Sequence, residues 1–237
     1  MTFRSDFSVF WRGVRDALAF PAWIVGFSLF GVGSLARDAG LPAGAAVLST
    51  CLMWAAPAQV ILFGGLLSGT ALPALAVAIG LSSLRFLPMT MSILPLVRRP
   101  EQRWPVQVVV AHFVAVTAWV EGMRRLPNLP VEERLPFFLG FAGACMGVSA
   151  TLTFAGYQLV RVLPVVLAAG MLMLTPLFFT IALVASVQAR QDWAAIGVGF
   201  ALAPVATALV GRDFDLLVLG LVGGTAAYVA GRARWRT

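Results

Sequence analysis

Apolar residues along this chain gather in long runs, not at the period of a surface helix or a half-buried strand. Runs of about 17 to 25 such residues cross roughly 30 Å of hydrocarbon as helices. Eight of them stand near residues 17–35, 44–67, 72–97, 105–121, 136–156, 162–187, 193–210 and 214–231. The pattern predicts an all-α, polytopic integral membrane protein of about eight transmembrane helices. The first run follows Arg12 and Arg15 and holds Pro21 and Gly26, which reads as a retained signal-anchor helix and not a cleaved signal peptide.

The longest polar stretch, Glu121 to Pro136, divides these runs four and four. It predicts a single membrane domain, 1–237, with halves 1–121 and 136–237 joined by a polar loop at 122–135. Prolines at 21, 42, 57 and 88 in the first half and at 136, 164, 176 and 204 in the second follow similar intervals. Two four-helix repeats would place them so, and so would coincidence among fourteen prolines.

Composition sharpens the class. Hydrophobic residues make up 60% and charged residues 11% of the 237, where soluble domains carry about 25% charge. The spans nearly exhaust the chain, so no soluble catalytic domain of ordinary size fits beside them. All seventeen cations are arginines, and they lie in short flanks instead of a patch that could track nucleic acid, which excludes it as a partner. Eight spans put ten arginines on the side of both termini and six on the other, with Arg85 left inside a span. The bias predicts both termini in the cytoplasm. A seven-span form with a re-entrant second run splits them evenly and stays open.

The candidate chemistry is sparse. Cys51 and Cys145 stand alone in apolar runs, without metal-ligand spacing. One histidine and no deep carboxylate cannot assemble a metal site or a proton-relay pair, so an embedded enzyme is not expected, and neither is a cofactor. No Walker motif is present. Arg85 is the exception, a permanent cation in the middle of the run Leu72 to Val97. Burying it at that depth costs at least about 2.5–3.5 kcal/mol. It therefore faces a partner group or a water-filled cavity, and a guanidinium there suits a carboxylate, which it holds by two parallel hydrogen bonds.

Around Arg85, Ser82 and Ser83 supply hydroxyls, and Pro88 cannot bond the carbonyl of Leu84. In the second run Pro57 likewise cannot bond the carbonyl of Met53, and Gln59 follows with donors and an acceptor. Gln59, Arg85, Ser82, Ser83 and Pro57 are the expected substrate-binding residues. The alternative for Gln59 is a bond to a neighbouring helix. His112 and Glu121 are candidates for proton coupling, against the plainer roles of a core histidine and a span-end anchor.

At these residues the chain resembles the AzlC family of membrane permeases, the large subunit of bacterial branched-chain amino acid exporters. Gly26-Phe27-Ser28-Leu29-Phe30-Gly31 with Ala39-Gly40-Leu41 is similar to the family's first span and its exit. Ala55 to Val60 is similar to its small-residue segment, with Val60 in an aromatic position, and Ser83-Leu84-Arg85-Phe86 is similar to its Asn-x-Arg-His. Ser83 thus stands for asparagine and Phe86 for histidine. The acidic pair of the fourth span is reduced to Thr117 and Glu121, and the fifth-span tryptophan is missing. The resemblance implies a multi-pass permease of the bacterial cytoplasmic (inner) membrane, exporting branched-chain or other small hydrophobic amino acids beside a small four-span, AzlD-like partner subunit. A channel or a scaffold subunit for a different small organic anion is the alternative.

Overall fold

The computed structural model describes residues 3–98, 103–159 and 190–210, with isolated positions between 164 and 184 and at 222 and 225. The sixth and eighth apolar runs therefore lie almost wholly outside the described residues. Among the described residues the chain is helical throughout and contains no strand, which bears out the all-α, multi-span expectation.

The described residues form these α-helices in chain order: α1 Phe3–Ala19, α2 Pro21–Asp38, α3 Ala43–Met53, α4 Ala56–Leu67, α5 Leu72–Ser83, α6 Phe86–Val97, α7 Trp104–His112, α8 Val116–Arg125, α9 Val131–Leu159 and α10 Arg190–Val210. Among the described residues, only α9 is long and apolar enough to cross a membrane unbroken. Three further pairs of helices reach that length and apolarity only when taken together, each bent at a short break: α1/α2 by 59°, α5/α6 by 46° and α7/α8 by 115°. The second run is likewise two short apolar helices, α3 and α4, separated by Trp54 and Ala55.

Two segments carry helical structure that the apolar runs alone do not outline. The residues before the first run form α1, whose charged and apolar positions alternate around a 3.6-residue period and so escape a search for uninterrupted apolarity. The polar stretch 122–135 is not an open loop. α8 continues to Arg125, a 3₁₀ turn covers Leu126–Asn128 and α9 starts at Val131.

The framework is the seam of α9 against α1 and α2. Glycine sets its closeness: a Cβ at Gly13 would meet the backbone of Phe137, and one at Gly140 the backbone of Phe10. Several turns further along the seam, a Cβ at Gly33 would meet the backbone oxygen of Thr153, and one at Gly156 that of Phe30. Helices in lipid gain nothing from hiding apolar surface from one another, so such backbone proximity and its dense packing are what join them. Leu29, Val32, Phe137, Phe138, Phe141 and Cys145 fill the surrounding core.

Residue numbers on the two sides of the seam rise together. Arg12 pairs with Glu133 at 2.6 Å, Gly26 lies by Val148 and Leu152, and Arg37 donates to the carbonyl of Tyr157 at 2.5 Å. The α1/α2 pair and α9 are therefore parallel. A second bridge, Arg125 to Asp16 at 2.7 Å, ties the end of α8 to α1. The amino-terminal segment and the polar stretch at 122–135 lie at one end of the bundle, the arrangement an even number of crossings between them requires.

Candidate functional site

The sequence interrupts its helices in recognisable ways at two of the three inner breaks. Pro57 sits in the first turn of α4, where its missing N–H removes no hydrogen bond. Pro88 sits in the first turn of α6. The carbonyl of Leu84, which Pro88 cannot bond, accepts the N–H of Leu87 at 3.1 Å, tightening the Leu84-Arg85 turn. Between α7 and α8 the chain turns through Phe113, Val114 and Ala115 with neither proline nor glycine.

All three breaks meet. A cavity of about 20 Å³ is lined by Trp54, Ala55 and Ala56 from the first, Arg85 and Phe86 from the second, Ala115, Val116 and Thr117 from the third, and Val25, Ser28 and Leu29 of α2. That volume holds about one water, so the site is closed in this conformation.

The cavity is electropositive by construction. The amino-terminal ends of α4, α6 and α8 all open onto it, and their cap positions, Ala55, Arg85 and Ala115, make no side-chain cap bonds. A helix start carries about half a positive charge through its unsatisfied N–H groups. Three of them beside a guanidinium form a place for an anion. Arg85 itself is half-buried, its guanidinium 5.1 Å from the centre of the Phe86 ring. The hydroxyl of Thr117 is buried, with no hydrogen-bond partner among the described residues.

Trp54, at the end of α3, has φ of 25°. A bulky residue seldom adopts that backbone, and such strain gathers at working sites. Its indole holds it there by donating to the Ser149 hydroxyl at 3.1 Å.

Behind this wall lies a second polar cluster. The Gln59 amide donates to the hydroxyls of Ser49 at 2.8 Å and Thr50 at 2.9 Å, and Thr50 meets Thr153 at 3.0 Å. Ser149 and Thr153 bond back to carbonyls of their own helix, at 2.7 Å to Cys145 and 2.9 Å to Ser149. The cluster fastens α3 and α4 to α9. The carbonyl oxygen of Gln59 is buried with no hydrogen-bond partner among the described residues.

Of the residues singled out from sequence, the cavity thus brings in Arg85 and leaves Gln59, Pro57, Ser82 and Ser83 outside its lining. Ser83 bonds the carbonyl of Ile79 at 2.8 Å within its own helix, and Ser82 is half-buried beside it. His112 is exposed at the end of α7, edge-on to Phe113. Glu121 is engaged by Arg124 and Arg125, each at 2.7 Å. No group of three or more metal-binding side chains occurs among the described residues. Sequence reasoning missed the third break and Trp54. The only signal near the break was a single hydroxyl, Thr117, within an apolar run.

A family model described as "AzlC protein" matches residues 22–163, more than half of the chain. No curated protein and no solved structure matches it.

Proposed function

From this chain's membership of the AzlC family, a transporter family associated with branched-chain amino acids, we propose that it is a secondary transporter exporting branched-chain or other small hydrophobic amino acids across the bacterial cytoplasmic membrane. The observation that carries the reading is the meeting of three helix breaks around Arg85. An amino acid is a zwitterion with one apolar side chain. Its carboxylate suits the guanidinium and the three helix starts. Its ammonium suits carbonyls left over where a helix stops, as α3 does at Trp54. Its side chain suits the apolar wall of Val25, Leu29, Trp54 and Phe86.

Transport follows from the same breaks. The closed cavity admits no amino acid until its walls part, and interrupted helices part at their breaks with the least loss of backbone bonding. Arg85 is the direct contact, with Ser82 and Ser83 one turn back to support its helix end. Pro57 and Gln59 shape the start of α4. A proton, if one is coupled, would use Glu121 or His112. A small four-span partner subunit would stand beside the chain, whose termini would both face the cytoplasm.

The test is release of leucine, isoleucine, valine and methionine from peptide-loaded cells, with and without the partner. Arg85→Ala inserts normally and lowers release by about tenfold or more, the loss of roughly 1.4 kcal/mol or more of substrate interaction. Arg85→Lys keeps part of the activity, since it preserves charge but not the planar fork. Normal release by the alanine variant would overturn the site.

A further inference from the structure

Thr117 and Val116 line two spaces. On one side is the closed cavity, and on the other a groove of about 250 Å³ between Phe20, Pro21 and Ile24 at the start of α2 and Val116, Thr117, Val120 and Glu121 of α8. The four α8 residues share one helical face, being spaced by one and four positions. Their side chains grade from the buried Thr117 hydroxyl, through apolar Val120, to the carboxylate of Glu121. Both arginine bonds to that carboxylate are made to Oε2, so they do not engage Oε1.

We infer that this groove is a second amino acid site, an outer station from which the transported molecule passes Thr117 into the cavity. The inference rests on the transport reading above and adds the route. At about 30 Å³ per water the groove displaces roughly eight waters, room for a small amino acid that the inner cavity lacks. Phe20, Pro21, Ile24 and Val120 make a greasy wall for its side chain. Glu121 Oε1 takes the ammonium by a charge-assisted bond. Thr117, whose hydroxyl has no partner among the described residues, is placed to bond the cargo as it crosses between the two spaces. The groove lies at the same end of the bundle as Asp16, Arg125 and Glu133, so it serves the side on which the amino-terminal segment lies.

Purified full-length protein with Cys51 and Cys145 changed to alanine and Val120→Cys introduced tests it through the rate of thiol labelling. L-Leucine at ten times its dissociation constant slows labelling by about tenfold, and Glu121→Gln in the same background removes the slowing. Ile24→Cys, on the facing wall, repeats the reading should the first variant fold poorly. Labelling that L-leucine leaves unchanged at both positions overturns the groove, as does protection that survives Glu121→Gln undiminished. Neither arm uses Arg85, so the inner site stands or falls separately on Arg85→Ala release.

Discussion

The seam of α1 and α2 on α9 and the three inner breaks are built by opposite means. Along the seam the backbones come so close at Gly13, Gly33, Gly140 and Gly156 that a single added carbon would collide with main-chain atoms. Around the cavity, opposite the continuous α2, the pairs α3/α4, α5/α6 and α7/α8 each stop and restart. The first region has one way to pack. The second consists of short helices joined by two- or three-residue turns, able to tilt separately. A carrier needs both, a frame that keeps its place and elements that move against it, and this chain assigns them to different glycines and different breaks.

Loading the seam should have the largest effect. Gly156→Leu drives a side chain into the backbone of Phe30, and main chain cannot yield as a flexible side chain would. We expect no folded protein on size-exclusion chromatography, whereas Gly147→Leu, on the same helix with open space around it, should be recovered in normal yield. If both variants fold alike, the seam is not the frame.

Next in size is Arg85→Ala, which belongs to the moving region and should cost function without costing the frame. Its folded yield and melting temperature should stay near those of the parent while release falls. Loss of folded protein would show Arg85 to be a structural strut.

The cluster joining the two regions comes third. Thr50→Val keeps shape but takes a hydrogen bond from Gln59 and from Thr153. An unsatisfied buried group costs about 1–3 kcal/mol, so the melting temperature should drop measurably. Thr153→Val in the Thr50→Val background should add less than it costs alone, because the two groups share one bond.

The smallest effect is expected at the rim. Arg124 pairs with Glu121 from a side chain that is 65% exposed. Such surface pairs contribute about 0–1 kcal/mol, less in salt. Arg124→Ala should leave both melting temperature and release close to the parent's.

The frame and the spans were legible in the sequence to different degrees. The run 72–97 coincides with α5 and α6 together, and 44–67 with α3 and α4 to within a residue. Prolines 57 and 88 announced two of the breaks. The third carries neither proline nor glycine, and its Val114 and Ala115 are buried in the core. The amphipathic α1 was hidden by its own charges. At the site, Arg85 could be read because a fixed charge in an apolar run admits few explanations. Gln59 was equally conspicuous, yet hydropathy does not say which way a side chain is bonded. Its partners Ser49 and Thr50 belong to the preceding helix, and the Thr153 that completes the cluster is 94 positions away.

The permanent charge of Arg85 also has an electrical consequence. A guanidinium keeps its proton at any pH the cell meets, so the site does not change charge between turnovers, and a zwitterion passing it carries no net charge across the membrane. The membrane potential, worth about 2.3 kcal/mol per elementary charge per 100 mV, therefore does no work on the cargo itself. Any current, or any dependence of release on voltage, must come from a coupled ion or from Arg85 shifting within the field as the break around it opens. An electrode can thus count the coupled charge without knowing which amino acid is carried.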